Sequence, residues 1–197
     1  LAIIMTYGIG NLFLRDKESR LAGTDRESMK TTALLFGLDL DYVSLTLPRI
    51  PCAEEAEKIT ALAELCSENF ADYNAERMAR LIKKRMSSGE IFVIEHKNNI
   101  AGFIMFSKKN KTIDHIAVSP DYRRIGIASR LMVTAMAQFE VGEELSAVTF
   151  RQEHPMSDGV SRMYKKFGFD DEKNIVVRGE PLVKRTAVVP EKAIITE

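Results

Sequence analysis

Residues 113–130 read Ile-Asp-His-Ile-Ala-Val-Ser-Pro-Asp-Tyr-Arg-Arg-Ile-Gly-Ile-Ala-Ser-Arg. They hold the side chains and spacings most suited to binding an anion. Ile113 to Val118 is an apolar run interrupted by Asp114 and His115, as in a mostly buried strand. Ser119-Pro120-Asp121 stops it, because proline cannot extend a ladder. From about Ile125, apolar residues fall at helical spacing: Ala128, Leu131, Met132, Ala135, Met136 and Phe139. A helix start offers unpartnered N–H groups and the positive end of the macrodipole, which suit a phosphate or pyrophosphate. Gly126 removes the Cβ that would block backbone approach, Ala128 is nearly as small, and Arg123 and Arg124 add charge. An ordinary strand–turn–helix with glycine easing a tight turn fits the same spacing.

Arg123-Arg-Ile-Gly126-Ile-Ala128 resembles the Arg/Gln-x-x-Gly-x-Gly/Ala signature of the GNAT acyltransferases. The preceding Ile-Ala-Val-Ser-Pro-Asp-Tyr is similar to what that family carries ahead of its signature. Met163-Tyr164-Lys-Lys-Phe167-Gly168-Phe169 resembles its Leu-Tyr-x-x-x-Gly-Phe segment. The resemblance covers residues 42–189 and implies an α+β, three-layer fold with a mixed, mostly antiparallel central sheet flanked by helices. Residues 41–197 would form the acyltransferase domain and 1–40 an N-terminal extension of unassigned role.

The resemblance also implies an activity, acetyl transfer from acetyl-CoA, as acyl-donor substrate, to an amine. Arg123, Arg124, Ile125, Gly126, Ile127, Ala128 and Ser129 would hold the pyrophosphate. The backbone of Ile116, Ala117 and Val118 would bind the pantetheine, with the Val118 N–H polarising the acetyl carbonyl. Tyr164 matches the family's general acid, and a phenol with an ordinary pKa of about 10 is protonated at neutral pH; ring packing beside Phe167 is the other role open to it. Asp114 stands where members carry an acidic or histidine side chain. It is the expected base, directly or through water, with a structural aspartate as the alternative. In a regular strand His115 would face the other side of the sheet. Where members place an asparagine on coenzyme A, this chain has Ser157, which can donate one hydrogen bond but not two. A catalytically silent acyl-CoA-binding sensor or interaction domain is the rival reading.

Composition narrows the remaining classes. The chain has 197 residues, 45% hydrophobic and 28% charged, as in globular proteins, with 28 Lys plus Arg against 28 Asp plus Glu. That balance gives no general pull toward nucleic acid or anionic membrane. No apolar run approaches the roughly 18 residues of a membrane span, and the opening Leu-Ala-Ile-Ile-Met lacks a basic region before it; a cytoplasmic location is expected. Cys52 and Cys66 form no Cys-x-x-Cys pattern, and His96, His115 and His154 are scattered, so no metal site is expected.

The elements around the motif follow from periodicity. Residues 1–40 contain a turn at Tyr7–Gly10 and a short helix from Arg26 to Phe36; their apolar side chains need burial against the domain or a twin subunit, as in a homodimer. Leu40–Leu47 reads as a strand. A helix follows with Ala56, Ile59, Leu62, Ala63, Cys66 and Phe70 on one face. Asn74 caps a second helix, with Met78, Leu81, Ile82 and Met86 inward. Its Arg77, Arg80, Lys83, Lys84 and Arg85 read as a solvated basic face, because no aromatic residues interleave with them as in nucleic-acid binders. A hairpin turning at Asn98-Asn99 joins Ile91–Glu95 to Ile100–Ser107, and Lys108–Lys111 leads into the Ile113 strand. After the motif come a strand at 145–151, a loop to Asp158, a helix at 159–167 ended by Gly168, and strands at 175–178 and 181–189.

Overall fold

The computed structural model describes residues 47–71, 73–150 and 157–190, which all belong to the unit Thr46–Glu197. The readings made for 1–40, for the strand before Leu47 and for most of the loop before Asp158 lie outside them. The helices α1 (Ala56–Leu65) and α2 (Ala75–Ser87) come first, then strands β1 (Ile91–His96), β2 (Asn99–Ser107) and β3 (Thr112–Val118). Helix α3 (Ile127–Met136), strand β4 (Glu144–Phe150), helix α4 (Ser157–Lys166) and strands β5 (Asp171–Val177) and β6 (Glu180–Val188) complete the order. The six strands form one sheet in the order β1-β2-β3-β4-β6-β5, antiparallel except between β3 and β4. This is the mixed, mostly antiparallel α+β architecture expected from the sequence.

Local chemistry explains the boundaries. Asn74 caps α2 by accepting the Arg77 N–H at 2.9 Å. The β1–β2 turn falls at Lys97 and Asn98, both at positive φ (47° and 65°), with Asn99 already paired to His96. The turn is thus one residue earlier than Asn98-Asn99. Arg178 and Gly179 (φ 52° and 87°) make a similar turn between β5 and β6, and β5 begins four residues earlier than its apolar run suggests. Pairing to β6 recruits Asp171 to Asn174, residues with poor intrinsic strand propensity.

Two apolar layers enclose the β1–β3 half of the sheet. On one side Ile59, Leu62, Met78 and Ile82 of α1 and α2 pack with Ile91, Val93, Phe103 and Met105. Burying each such side chain contributes about 1.5–3 kcal/mol. On the other side Phe106 stacks on Phe92 and meets Phe139 edge-on, while α3 buries Leu131, Met132 and Ala135. Gly102 permits this packing: a Cβ there would lie 2.7 Å from Ile127 Cγ2 and 3.0 Å from the Ala117 carbonyl oxygen. Arg85, expected on the basic face of α2, is instead 7% exposed and ion-paired inward.

Candidate active site

The one parallel strand pair among the described residues opens the candidate site. β3 and β4 pair only at Thr112–Ser146 and Ile113–Ala147. At the next residue β3 carries a bulge, because Met105 pairs with His115 and Phe106 with Ile113, leaving Asp114 as the extra residue. Beyond it Ile116 and Val118 of β3, Val148 and Phe150 of β4, and Met163 and Tyr164 of α4 line a cleft of about 840 Å³. That volume suits a sizeable organic ligand.

One end of the cleft is built from the basic turn and the start of α3. Arg124 (φ 69°) and Gly126 (φ 85°) both take the left-handed conformation, which swings successive backbone N–H groups toward one side. Gly126 is the N-cap and provides no side-chain cap, so the first-turn donors of α3 remain for a ligand. Arg123, Arg124, Gly126, Ala128 and Ser129 all line the cleft. Ile127 reaches it too, but its side chain is 1% exposed and belongs to the core. Ile125 does not line it. Ala117 offers its backbone, its side chain packing with the α1–α2 layer. Ser157 opens α4. The Val118 carbonyl accepts from Arg123 Nε at 3.3 Å and from the Cys66 thiol at 3.6 Å. Burial pushes that thiol's pKa up against the pull of Arg123, so Cys66 is a packed thiol rather than a thiolate.

The other end is built around the bulge. Asp114 Oδ2 accepts from Arg85 Nη2 at 2.5 Å and Oδ1 from the Thr112 hydroxyl at 2.6 Å. The bulge brings His115 to the same side of the sheet: its ring meets Phe70, which packs on the α1–α2 layer, edge-on at 5.1 Å. The opposite-face expectation for a regular strand therefore fails at this pair. Burial pushes the His115 imidazole below its ordinary pKa, Asp114 opposing and Arg85 assisting, and its Nδ1 is buried without a hydrogen-bond partner. Tyr164 is 4% exposed and meets Phe169 edge-on at 5.2 Å. Burial pushes its phenol well above the ordinary value, Arg185 opposing and Asp114 assisting, so it is protonated at neutral pH. Arg185 went unnoticed in the sequence, although Val183, Arg185 and Ala187 share one face of β6 and a charged residue at such an inward position is itself a signal. Among the described residues no group of three or more His, Cys, Asp or Glu could hold a metal, and no helix is long and apolar enough to cross a membrane.

Comparison with known proteins agrees with the fold. A GNAT-family acetyltransferase from Bacillus cereus superposes with a TM-score of 0.58 at 17% identity, covering 73% of this chain and 96% of that one. Arabidopsis thaliana Naa50, solved in complex with the bisubstrate analogue CoA-Ac-MVNAL, gives 0.56 at 16% identity over 73% of this chain and 97% of its own. The microcin C7 self-immunity acetyltransferase, in complex with acetyl-CoA and AMP, gives 0.52 at 14% identity, covering 74% and 92%. At such identities these likenesses speak for the fold. No curated protein sequence matches the chain. The sequence family described as acetyltransferase (GNAT) domain matches residues 87–171, from the last residue of α2 to the first of β5. That stretch contains the bulge, the basic turn, α3 and Tyr164, and it is the part of this chain that is similar to a GNAT acetyltransferase domain.

Proposed function

We propose that the chain is an acetyl-CoA-dependent N-acetyltransferase acting on an amine of a small molecule or polypeptide by direct attack on the thioester. One observation carries the reading: a single cleft, opened where β3 and β4 part, joins an anion cradle at one end to a buried, protonated phenol and an acid–imidazole pair at the other. Acetyl-CoA suits the cradle, because the left-handed Arg124 and Gly126 present backbone donors beside two arginines. Ile116 to Val118, no longer paired to β4, have backbone groups available for the pantetheine amides, and the Val118 N–H is assigned to the acetyl carbonyl.

In the reaction the neutral acceptor nitrogen bonds to the acetyl carbon and gives up one proton to solvent as the carbon–sulfur bond breaks. Tyr164 gives its proton to the departing sulfur and regains one from solvent. The acceptor must first lose a proton, since an alkyl amine of pKa about 10.4 is charged at neutral pH. Asp114 is assigned to this step through water, because both its oxygens are already engaged. A second reading gives the proton to His115, and the observation favouring it is a neutral ring on the cleft with an unpartnered Nδ1. The test is release of free thiol from acetyl-CoA against an amine panel, with acetyl-CoA binding titrated on the same preparation. Amine-dependent release supports the enzyme; binding without release makes the domain an acyl-CoA sensor.

A further inference from the structure

Arg185 is the largest fully buried side chain among the described residues, 1% exposed on the inward face of β6. Burying a guanidinium carries a desolvation cost that shape-filling alone does not repay. Its hydrogen bonds show where the group is directed. Nε donates to Thr149 Oγ1 of β4 at 3.1 Å, and Nη2 donates to Ser161 Oγ of α4 at 2.8 Å. One planar group thus links β6, β4 and α4.

The attachment point on α4 matters. Ser161 precedes Tyr164 by three residues, so the two share a helix face. Holding Ser161 fixes the rotation of α4 about its axis, and with it the direction in which the Tyr164 phenol enters the cleft. The charge matters separately. Two charged groups among the described residues act on that phenol: Arg185 from β6, and Asp114 from β3. Burial and Asp114 make the phenol a weaker acid, and Arg185 works against both. Arg162, Lys165 and Lys166 of α4 itself are exposed.

Resting on the acetyl-transfer reading, we propose that Arg185 is the positioning residue of the general acid: it sets the rotation of α4 and stabilises the Tyr164 phenolate left when the proton moves to sulfur. A strut that only filled space would do neither. The proton balance is that of the reaction above, and Arg185 stays charged throughout.

The test is a double-mutant cycle in steady-state thiol release at saturating acetyl-CoA. It compares wild type, Arg185→Gln, Arg185→Lys, Tyr164→Phe and Tyr164→Phe/Arg185→Gln, with acetyl-CoA binding measured on each. Arg185→Gln should lower turnover roughly 10- to 100-fold, within the share a positioned acid supplies, while binding stays within about threefold. Arg185→Lys, which keeps the charge, should recover much of the loss. In the Tyr164→Phe background Arg185→Gln should cost nothing further, because the group it serves is gone. Equal losses in both backgrounds, or no loss in either, would overturn the assignment of Arg185 alone. Unchanged turnover in Tyr164→Phe, or a wild type that releases no thiol, would overturn the acid or the enzyme reading and this proposal with it. Should Arg185→Gln not fold, Ser161→Ala keeps the cation and removes the anchor. A severalfold loss confined to the background with Tyr164 supports the proposal, and an equal loss without Tyr164 defeats it.

Discussion

Arg85 Nη2 lies 2.5 Å from Asp114 Oδ2, fastening α2 to the bulge of β3 where the cleft opens. The other arm of the guanidinium meets Glu90 Oε2, also at 2.5 Å, and Glu90 in turn accepts the Lys108 N–H at 2.8 Å and the Ser88 hydroxyl at 2.9 Å. All three charged side chains are at most 16% exposed. Removing the cation alone would leave two carboxylates buried without it. Arg85→Met should therefore destabilise the fold by about 3–5 kcal/mol. Neutralising both acids in the same background, with Glu90→Gln and Asp114→Asn, should restore a large part of that. Denaturant unfolding of the single and triple variants checks it, and an Arg85→Met midpoint equal to wild type would contradict it.

The same corner decides the base, and pH profiles separate its two members. Burial holds His115 below its ordinary pKa, so it is a free base at neutrality and gains its proton only in more acidic solution. If His115 takes the acceptor proton, turnover falls as pH drops through that lowered value, below about 6.5. The limb should then vanish in His115→Gln together with roughly 10²–10⁴ of the rate. If Asp114 does so, His115→Gln keeps most of the rate and Asp114→Asn loses it.

Gly126 and Gly102 serve the same helix start in different ways. At φ 85° Gly126 holds a conformation that β-branched residues avoid, and Gly126→Val also places a side chain in the cradle. Acetyl-CoA affinity should fall at least about tenfold, or about 1.4 kcal/mol, in a variant that still unfolds cooperatively. Equal affinity by calorimetry would remove the pyrophosphate from this turn.

Gly102 does not line the cleft. A methyl group there would push on Ile127 Cγ2 and the Ala117 carbonyl, shifting the first turn of α3. Gly102→Ala should cost about 1–3 kcal/mol of stability and weaken acetyl-CoA binding as well. The cost should be less than additive with Ile127→Ala, which removes the obstructing methyl. Full additivity in thermal unfolding would contradict this account of the packing.

Acid stability should depend on Glu55. The Arg49 guanidinium, bonded to both its oxygens at 2.7 Å, holds this carboxyl down to about 2 from an ordinary 4.5. Because the folded value is the lower one, the stabilisation is complete above about 4.5 and is lost as pH falls toward 2. Arg49 is 37% exposed, so the effect is tempered by solvent. Glu55→Gln should flatten the decline of Tm across that interval relative to wild type. A parallel decline in both proteins would assign acid lability elsewhere.

The elements closest to the chemistry were the most legible in the sequence, because each is local. Gly126 and the helical spacing from Ala128 onward mark the start of α3, and Asn74 marks the start of α2. What escaped depended on distant pairing. The bulge at Asp114 arises from the register between β2 and β3, and period-two reasoning therefore sent His115 to the wrong face. Arg85 looked like one more cation on a basic helix because its partners come later in the chain, Glu90 just ahead of β1 and Asp114 in β3. Arg185 sat in a strand identified correctly by its apolar neighbours, yet only the sheet order brings Thr149 beside it and only α4 brings Ser161. The turn at Lys97-Asn98 was misplaced because a lysine at positive φ is uncommon and the adjacent asparagines are better turn formers.

Transfer of an acetyl group to nitrogen is tested by following the group itself. The full chain is incubated with acetyl-CoA labelled with carbon-13 in the acetyl group and an amine panel, and every product is resolved by mass spectrometry. The label should appear in an amide of at least one amine, mole for mole with the free thiol released, and Tyr164→Phe should form this amide far more slowly while binding acetyl-CoA as wild type does. Label that stays on coenzyme A, or leaves only as acetate, in a chain that binds acetyl-CoA would contradict it.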